Sequence, residues 1–246
     1  MSEYQKNYDY SGYTTSDAAT FEQSVVIPAY KNMYGWMAAA LCISALTSWI
    51  IMRELVLSDT FANIFLSRGM MWALILGSLG LVMVISGMIH RLSVGIASLL
   101  FAIYAVVMGA WITPVVMAYT TSSVAQVFLI TAGTFGGMCV YGHFTKRDLS
   151  KVGQICIMGL WGIIIASLVN IFFGNSMVYY ITSYVGVIIF CGLTMWDVQK
   201  FRNLIYSSAD ADQTTVQKYA LLGALSLYLD FMNMFLYLLR ILGNRK

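Results

Sequence analysis

The sequence predicts an all-helical membrane bundle, and three observations carry that prediction. Hydrophobic residues make up 59% of the 246 positions and charged residues only 10%, too little polar surface to clothe a soluble globule. Apolar runs of spanning length recur seven times from Met33 onward. The stretches between them are mostly short, so neighbouring runs should be antiparallel and packed side by side. The formal net charge of +3 comes without any Lys/Arg-rich run, which gives no basis for nucleic-acid binding.

Taken in order, residues 1–31 are polar and rich in Tyr, Ser and Thr, with no basic start followed by an apolar core. They are expected to form a flexible cytosolic tail rather than a signal peptide or a domain, and residues 32–246 the seven-helix transmembrane domain. The seven runs are Met33 to Ile51, Met70 to Ile89, Val94 to Met117, Val124 to Phe144, Ile155 to Phe173, Met177 to Trp196 and Tyr219 to Gly243. Thr120 to Ser123 and Asn175 mark two of the tight connections. Pro114 lies near the end of the third run, where a proline weakens a helix least. Gly77/Gly80, Ala38/Ala39/Ala40 and Gly133/Gly136/Gly137 are the small residues that close helix packing in lipid requires. Cys42, Cys139, Cys156 and Cys191 all fall in apolar runs without CxxC spacing and are expected to be small core residues.

Orientation follows from the distribution of Lys and Arg. Lys6, Lys31, Arg91, Lys146, Arg147, Lys151, Lys200, Arg202 and Lys218 lie in the tail and the even-numbered loops, against Arg53 and Arg68 in the odd-numbered ones. The amino terminus is therefore expected in the cytosol. Seven full crossings then put Arg245 and Lys246 outside, against the charge rule, whereas a re-entrant last segment returns them. Seven crossings is the preferred reading, because the last run has full spanning length and no Pro or Gly break at its centre.

That last run also carries the chemistry. Ser226, Asp230, Asn233, Tyr237 and Arg240 are spaced by 4, 3, 4 and 3 residues, one polar stripe on a helix otherwise covered by Leu, Met and Phe. A charge at the centre of a lipid-exposed helix costs about 2.5 to 3.5 kcal/mol on insertion scales, so Asp230 should face other helices. Asp197, at the end of the sixth run, admits two readings. By length alone it is a hydrated carboxylate at the cytosolic interface. Val198, Phe201, Leu204 and Ile205, however, continue an apolar i, i+3, i+6, i+7 pattern past it, which lengthens the helix and brings Asp197 toward Asp230.

Three blocks resemble the transmembrane Bax inhibitor motif family, in its bacterial form: Thr145-Lys146-Arg147-Asp148-Leu149-Ser150, Trp196-Asp197-Val198-Gln199-Lys200, and Leu225 through Asn233 with the core Leu229-Asp230-Phe231. With the seven runs, the likeness covers about residues 30–243, and the last block is the most specific. The resemblance implies a seven-helix bundle with the last helix central, and the compact form, without any Asn-x-Ser/Thr acceptor, suits a bacterial inner membrane. It further implies that Asp197 and Asp230 are a proton-sensing latch for a calcium-permeable leak, engaging a basic residue of the second helix, for which Arg91 or neighbouring His90 is the candidate. Some bacterial relatives carry a glutamate within the second helix that is linked to calcium entry. Met70 to Ile89 contains none, which weakens the case for calcium more than that for the latch.

The latch has a physical logic of its own. Two carboxylates close together in a low-dielectric interior cannot both ionise cheaply, and they titrate as a unit. One shared proton makes a hydrogen bond between helices, and its loss sets two negative charges against each other and favours separation or cation capture. Ca²⁺ prefers six to eight oxygens, so Asp197 and Asp230, even with Asn233 beside them, make only a weak, partly hydrated site. No tightly bound cofactor is expected; calcium and protons are the expected partners within the bilayer.

Other classes fit less well, and no enzymatic activity is expected. Intramembrane aspartyl proteases carry Gly-x-Gly-Asp, whereas Leu227, Tyr228 and Leu229 precede Asp230 here. A zinc hydrolase needs several His ligands, and the chain has only His90 and His143. Transporters commonly show duplicated halves, and no internal repeat is evident. The competing reading is a non-conducting regulator that binds a protease or a stress or cell-death partner within the membrane.

Overall fold

The computed structural model describes residues 22–208 and 212–246. The first 21 residues of the expected tail lie outside that range. A π-helical turn, Glu22–Val26, leads directly into α1, Ile27–Leu57. The first helix thus begins within the stretch assigned to the tail. Pro28 in its opening turn needs no hydrogen-bond partner there, and Val26 and Ala29 are already buried in the core.

The short α2, Asp59–Phe65, is followed by α3, Arg68–Met88; α4, Val94–Met117; α5, Thr121–Phe144; α6, Ser150–Phe173; α7, Ser176–Tyr206; and α8, Gln213–Leu242. All except α2 are long and apolar enough to cross a membrane, seven among the described residues. At about 1.5 Å per residue, even the 21 residues of α3 reach about 30 Å, the thickness of a hydrocarbon core. No strand occurs among the described residues, as expected where each backbone group must find its partner within its own helix.

Local sequence sets the helix ends. The side chains of Ser58, Ser67 and Ser93 accept hydrogen bonds from Phe61, Met70 and Ile96 N–H groups, each at 3.3 Å, and so cap α2, α3 and α4. The α6–α7 turn is Gly174-Asn175. Gly174 takes φ 62°, which suits a residue without Cβ, and Asn175 caps α7 by accepting from Met177 N–H at 2.8 Å. Pro114 does not break α4, which continues to Met117.

Packing sorts the helices. α8 lies against α1, α4, α5 and α7; α3 packs on α4, and α6 on α7. Two thirds of the most apolar stretch of α8 is buried (67%), compared with 6% for α3, so α8 is largely covered by its neighbouring helices while α3 is largely exposed. Close approaches depend on glycines in particular places. Gly109 of α4 lies so near α1 that a Cβ there would meet the Ser44 carbonyl oxygen at 2.5 Å, and a Cβ on Gly142 of α5 would meet that of Met195 at 2.6 Å.

α8 crosses completely. Its last residues sit on the α4–α5 connection, where Asn244 O accepts from Thr120 N–H, Lys246 N–H donates to Ala118 O, both at 3.0 Å, and Asn244 N–H donates to Ser123 Oγ at 2.8 Å. The opposite end of the bundle holds the start of α1, where the Tyr30 ring meets His143 of α5 edge-on at 5.3 Å. The start of α1 and the end of α8 therefore lie at opposite ends of the bundle, in agreement with seven full crossings.

Candidate functional site

α7 continues ten residues beyond Trp196, to Tyr206. Val198 and Ile205 are fully buried and Phe201 nearly so, as the apolar pattern predicted. Asp197 consequently sits inside a helix and is 8% exposed, not a hydrated residue at its end. Asp230, on α8, is 5% exposed. α7 and α8 pack along each other, and each aspartate lies within electrostatic reach of the other.

The immediate surroundings of the pair are hydroxyls, thiols and one cation. Ser226, a turn before Asp230 on α8, presents its hydroxyl to Asp197. Thr194 Oγ1, whose own proton goes to Phe190 O at 2.7 Å, faces Asp230 from α7. Asp230 Oδ2 has no hydrogen-bond partner among the described residues. A buried carboxylate oxygen left in that state is costly, so it marks a place for a proton, a water or an ion. Cys139 of α5 lies within electrostatic reach of Asp230 and is hydrogen-bonded to Tyr34 of α1, so four helices border the site.

A cation whose charge reaches both acids is the exposed Lys200. It stands one helical turn from Asp197, an i, i+3 spacing that was available in the sequence. Its ammonium also lies 4.8 Å from the Trp196 ring centroid and 5.3 Å from that of Phe201. The expected candidates lie elsewhere. His90 and Arg91 are exposed at the end of α3, where the His90 carbonyl accepts from Lys218 and its ring packs edge-on to Tyr219.

The rest of the polar stripe divides between roles. Asn233 donates to the Leu229 carbonyl of its own helix at 2.8 Å and so satisfies itself. Tyr237 lies over Gly186 of α7, close enough that a Cβ there would meet its ring at 2.7 Å. Arg240 stacks on Tyr237 and on Tyr179 of α7, at 5.4 and 5.2 Å. The stripe thus forms the seam between α7 and α8, and only its Ser226–Asp230 segment takes part in the acidic pair.

One bracing contact was not singled out from the sequence. Gln199 Oε1 accepts from Leu149 N–H at 2.8 Å and its Nε2 donates to Arg147 O at 2.9 Å, which ties the Thr145–Ser150 block to the helix that carries Asp197. Arg202 adds a bond to His143 O at 2.6 Å. Two of the three blocks that stood out in the sequence are therefore two sides of one joint.

Comparison with known proteins agrees with this architecture. A family model described as inhibitor of apoptosis-promoting Bax1 matches residues 23–246. The chain is 41% identical over 215 residues to the inner membrane protein YbhL of Escherichia coli strain K12, covering 87% of this chain and 91% of that protein. It is 43% identical over 216 residues to an uncharacterised protein of Borreliella burgdorferi, covering 87% and 91%. It is 34% identical over 233 residues to the uncharacterised protein RP147 of Rickettsia prowazekii, covering 95% and 96%.

Proposed function

The chain belongs to the Bax inhibitor motif family of multi-pass membrane proteins, and from that membership we propose that it is a pH-sensitive leak for calcium or a similar cation, gated by Asp197 and Asp230. The observation that supports this reading is the burial of two acids on neighbouring helices within electrostatic reach of one another, with Asp230 Oδ2 left without a partner among the described residues.

The gate works through one proton. With a single proton on the pair, one carboxyl donates to the other and α7 stays against α8. When the proton leaves, two like charges face each other in a poorly solvating environment, and the helices separate or a cation enters. The hydroxyls of Thr194 and Ser226 are placed to accept from a protonated carboxyl or to ligate a passing ion. Two carboxylates and two hydroxyls fall short of a tight Ca²⁺ cage, which suits cargo that arrives partly hydrated and leaves again. The excess of Lys and Arg at the end holding the start of α1 supports placing that end in the cytosol of a bacterial inner membrane, with Arg245 and Lys246 outside.

Purified protein in liposomes tests the reading. Wild type is expected to pass Ca²⁺ at a rate that changes between pH 6 and 8, and Asp230→Asn or Asp197→Asn to lose that change. Equal flux profiles for wild type and Asp230→Asn refute the gate. A silent wild type that acts only after a membrane partner is added supports the non-conducting regulator instead.

A further inference from the structure

A second feature lies away from the aspartates. α1 and α5 both pack on α8 but approach each other closely at few points, so a cleft between them opens onto α8. Toward the C-terminal end it holds a cavity of about 240 Å³, lined by Phe231 and Phe235 of α8, Trp49 of α1, and Val124 and Phe128 of α5.

The chemistry of this cavity is one-sided. Two of the hydroxyls in its wall already have protein partners: Ser44 is bonded to Ala40 O, Ala105 O and Tyr228 OH, and Ser48 is paired with Thr113. Most of the remaining lining is apolar, and apolar cavities of about 150 Å³ take up molecules as large as benzene. The space therefore suits a run of methylenes. Trp49 and Phe128 are 61% and 40% exposed, so the cavity borders the surface that the bundle presents to lipid.

One end of the cavity is cationic. Lys246 is part of the lining, held by its backbone bond to Ala118, and Arg245 beside it donates to Tyr179 OH at 3.0 Å. The acidic residues at this end of the bundle, Glu54 and Asp59, are not part of the lining. Lys is a point-charge partner for phosphate, and charge complementarity therefore selects among the amphiphiles of a bilayer.

We infer that this cleft is a binding site for one acyl chain of an acidic membrane phospholipid, with the chain against Phe231 and Phe235 and the phosphate at Lys246. A chain that leaves bulk lipid for the cleft gains no hydrophobic energy, because lipid tails are as apolar as the cavity wall. Occupancy is set by fit and selectivity by charge. One cation near the surface gives roughly a five-fold preference for an anionic headgroup.

The test is native mass spectrometry of the full-length protein purified with equal amounts of phosphatidylglycerol and phosphatidylcholine. Wild type should retain one phospholipid, with phosphatidylglycerol favoured about five-fold. Ala45→Trp, which fills the cavity from α1, should abolish retention of both lipids. Val124→Trp fills it from α5 and replaces Ala45→Trp if that variant does not fold. Lys246→Gln should keep the lipid but lose the preference. Absence of retained lipid in wild type, retention unchanged by cavity filling, or a preference that survives Lys246→Gln overturns the site.

Discussion

Ser44 lies where three helices meet, and removing its hydroxyl should cost more than removing that of its partner. Its Oγ is 2.6 Å from Tyr228 OH of α8, 2.7 Å from Ala105 O of α4 and 2.9 Å from Ala40 O of its own helix. With the single serine proton directed to the two carbonyls, the phenol donates to Ser44. Tyr228 is completely buried. Ser44→Ala leaves its O–H without an acceptor, a penalty of about 1 to 3 kcal/mol. Tyr228→Phe removes the donor while Ser44 keeps its carbonyls, a loss of about 0.5 to 1.5 kcal/mol, and nearer 0.6 if membrane-embedded bonds follow the measured average. The double variant leaves no orphaned phenol and should be less destabilised than the sum of the singles by about 1 kcal/mol. Reversible unfolding in mixed detergent micelles, followed by far-ultraviolet circular dichroism for all four proteins, gives the coupling directly. Additivity within about 0.5 kcal/mol, or Tyr228→Phe costing more than Ser44→Ala, would refute this account of the bond. The contact also bears on the gate. Tyr228 and Asp230 are two residues apart and point about 200° from each other around α8, so anchoring Tyr228 to α1 and α4 holds Asp230 toward α7.

Two further outcomes follow from the joints around the acids. Gly186→Ala places a methyl 2.7 Å from the Tyr237 ring, so the same unfolding assay should show a loss of about 1 to 3 kcal/mol that Tyr237→Leu partly restores; an unchanged midpoint would contradict the packing. Gln199→Ala removes the acceptor of Leu149 N–H and the donor to Arg147 O, so hydrogen–deuterium exchange should speed up at Leu149 while α8 is unaffected; unchanged protection at Leu149 would show that the clamp does not hold the loop.

The sequence by itself determined the seven crossings and their order, because in lipid each helix must satisfy its own backbone and turn no charge toward the acyl chains, and that requirement is written locally in hydropathy. For Asp197 it left two readings open, and the structure decided for the one in which the apolar period through Phe201 and Ile205 carries α7 past it. Its errors fall where partners are distant along the chain or lie just beyond a hydropathy edge. The start of α1 lay within a stretch read as polar tail, because Val25, Val26 and Ile27 are too short a run to register until they pack. The basic partner expected on the second span, Arg91 or His90, sits at the exposed end of α3, while Lys200, three residues from Asp197, is the cation whose charge reaches both acids. Only the tertiary structure decided that α8 is shared by α1, α4, α5 and α7, that Gln199 holds the Thr145–Ser150 loop, and that Ser44 bonds Tyr228 across 184 positions. Hydropathy specifies how deep each helix lies in the membrane and leaves its rotation and its neighbours undetermined. Those are set by which glycines let backbones approach and which few polar groups must find one another once water is gone.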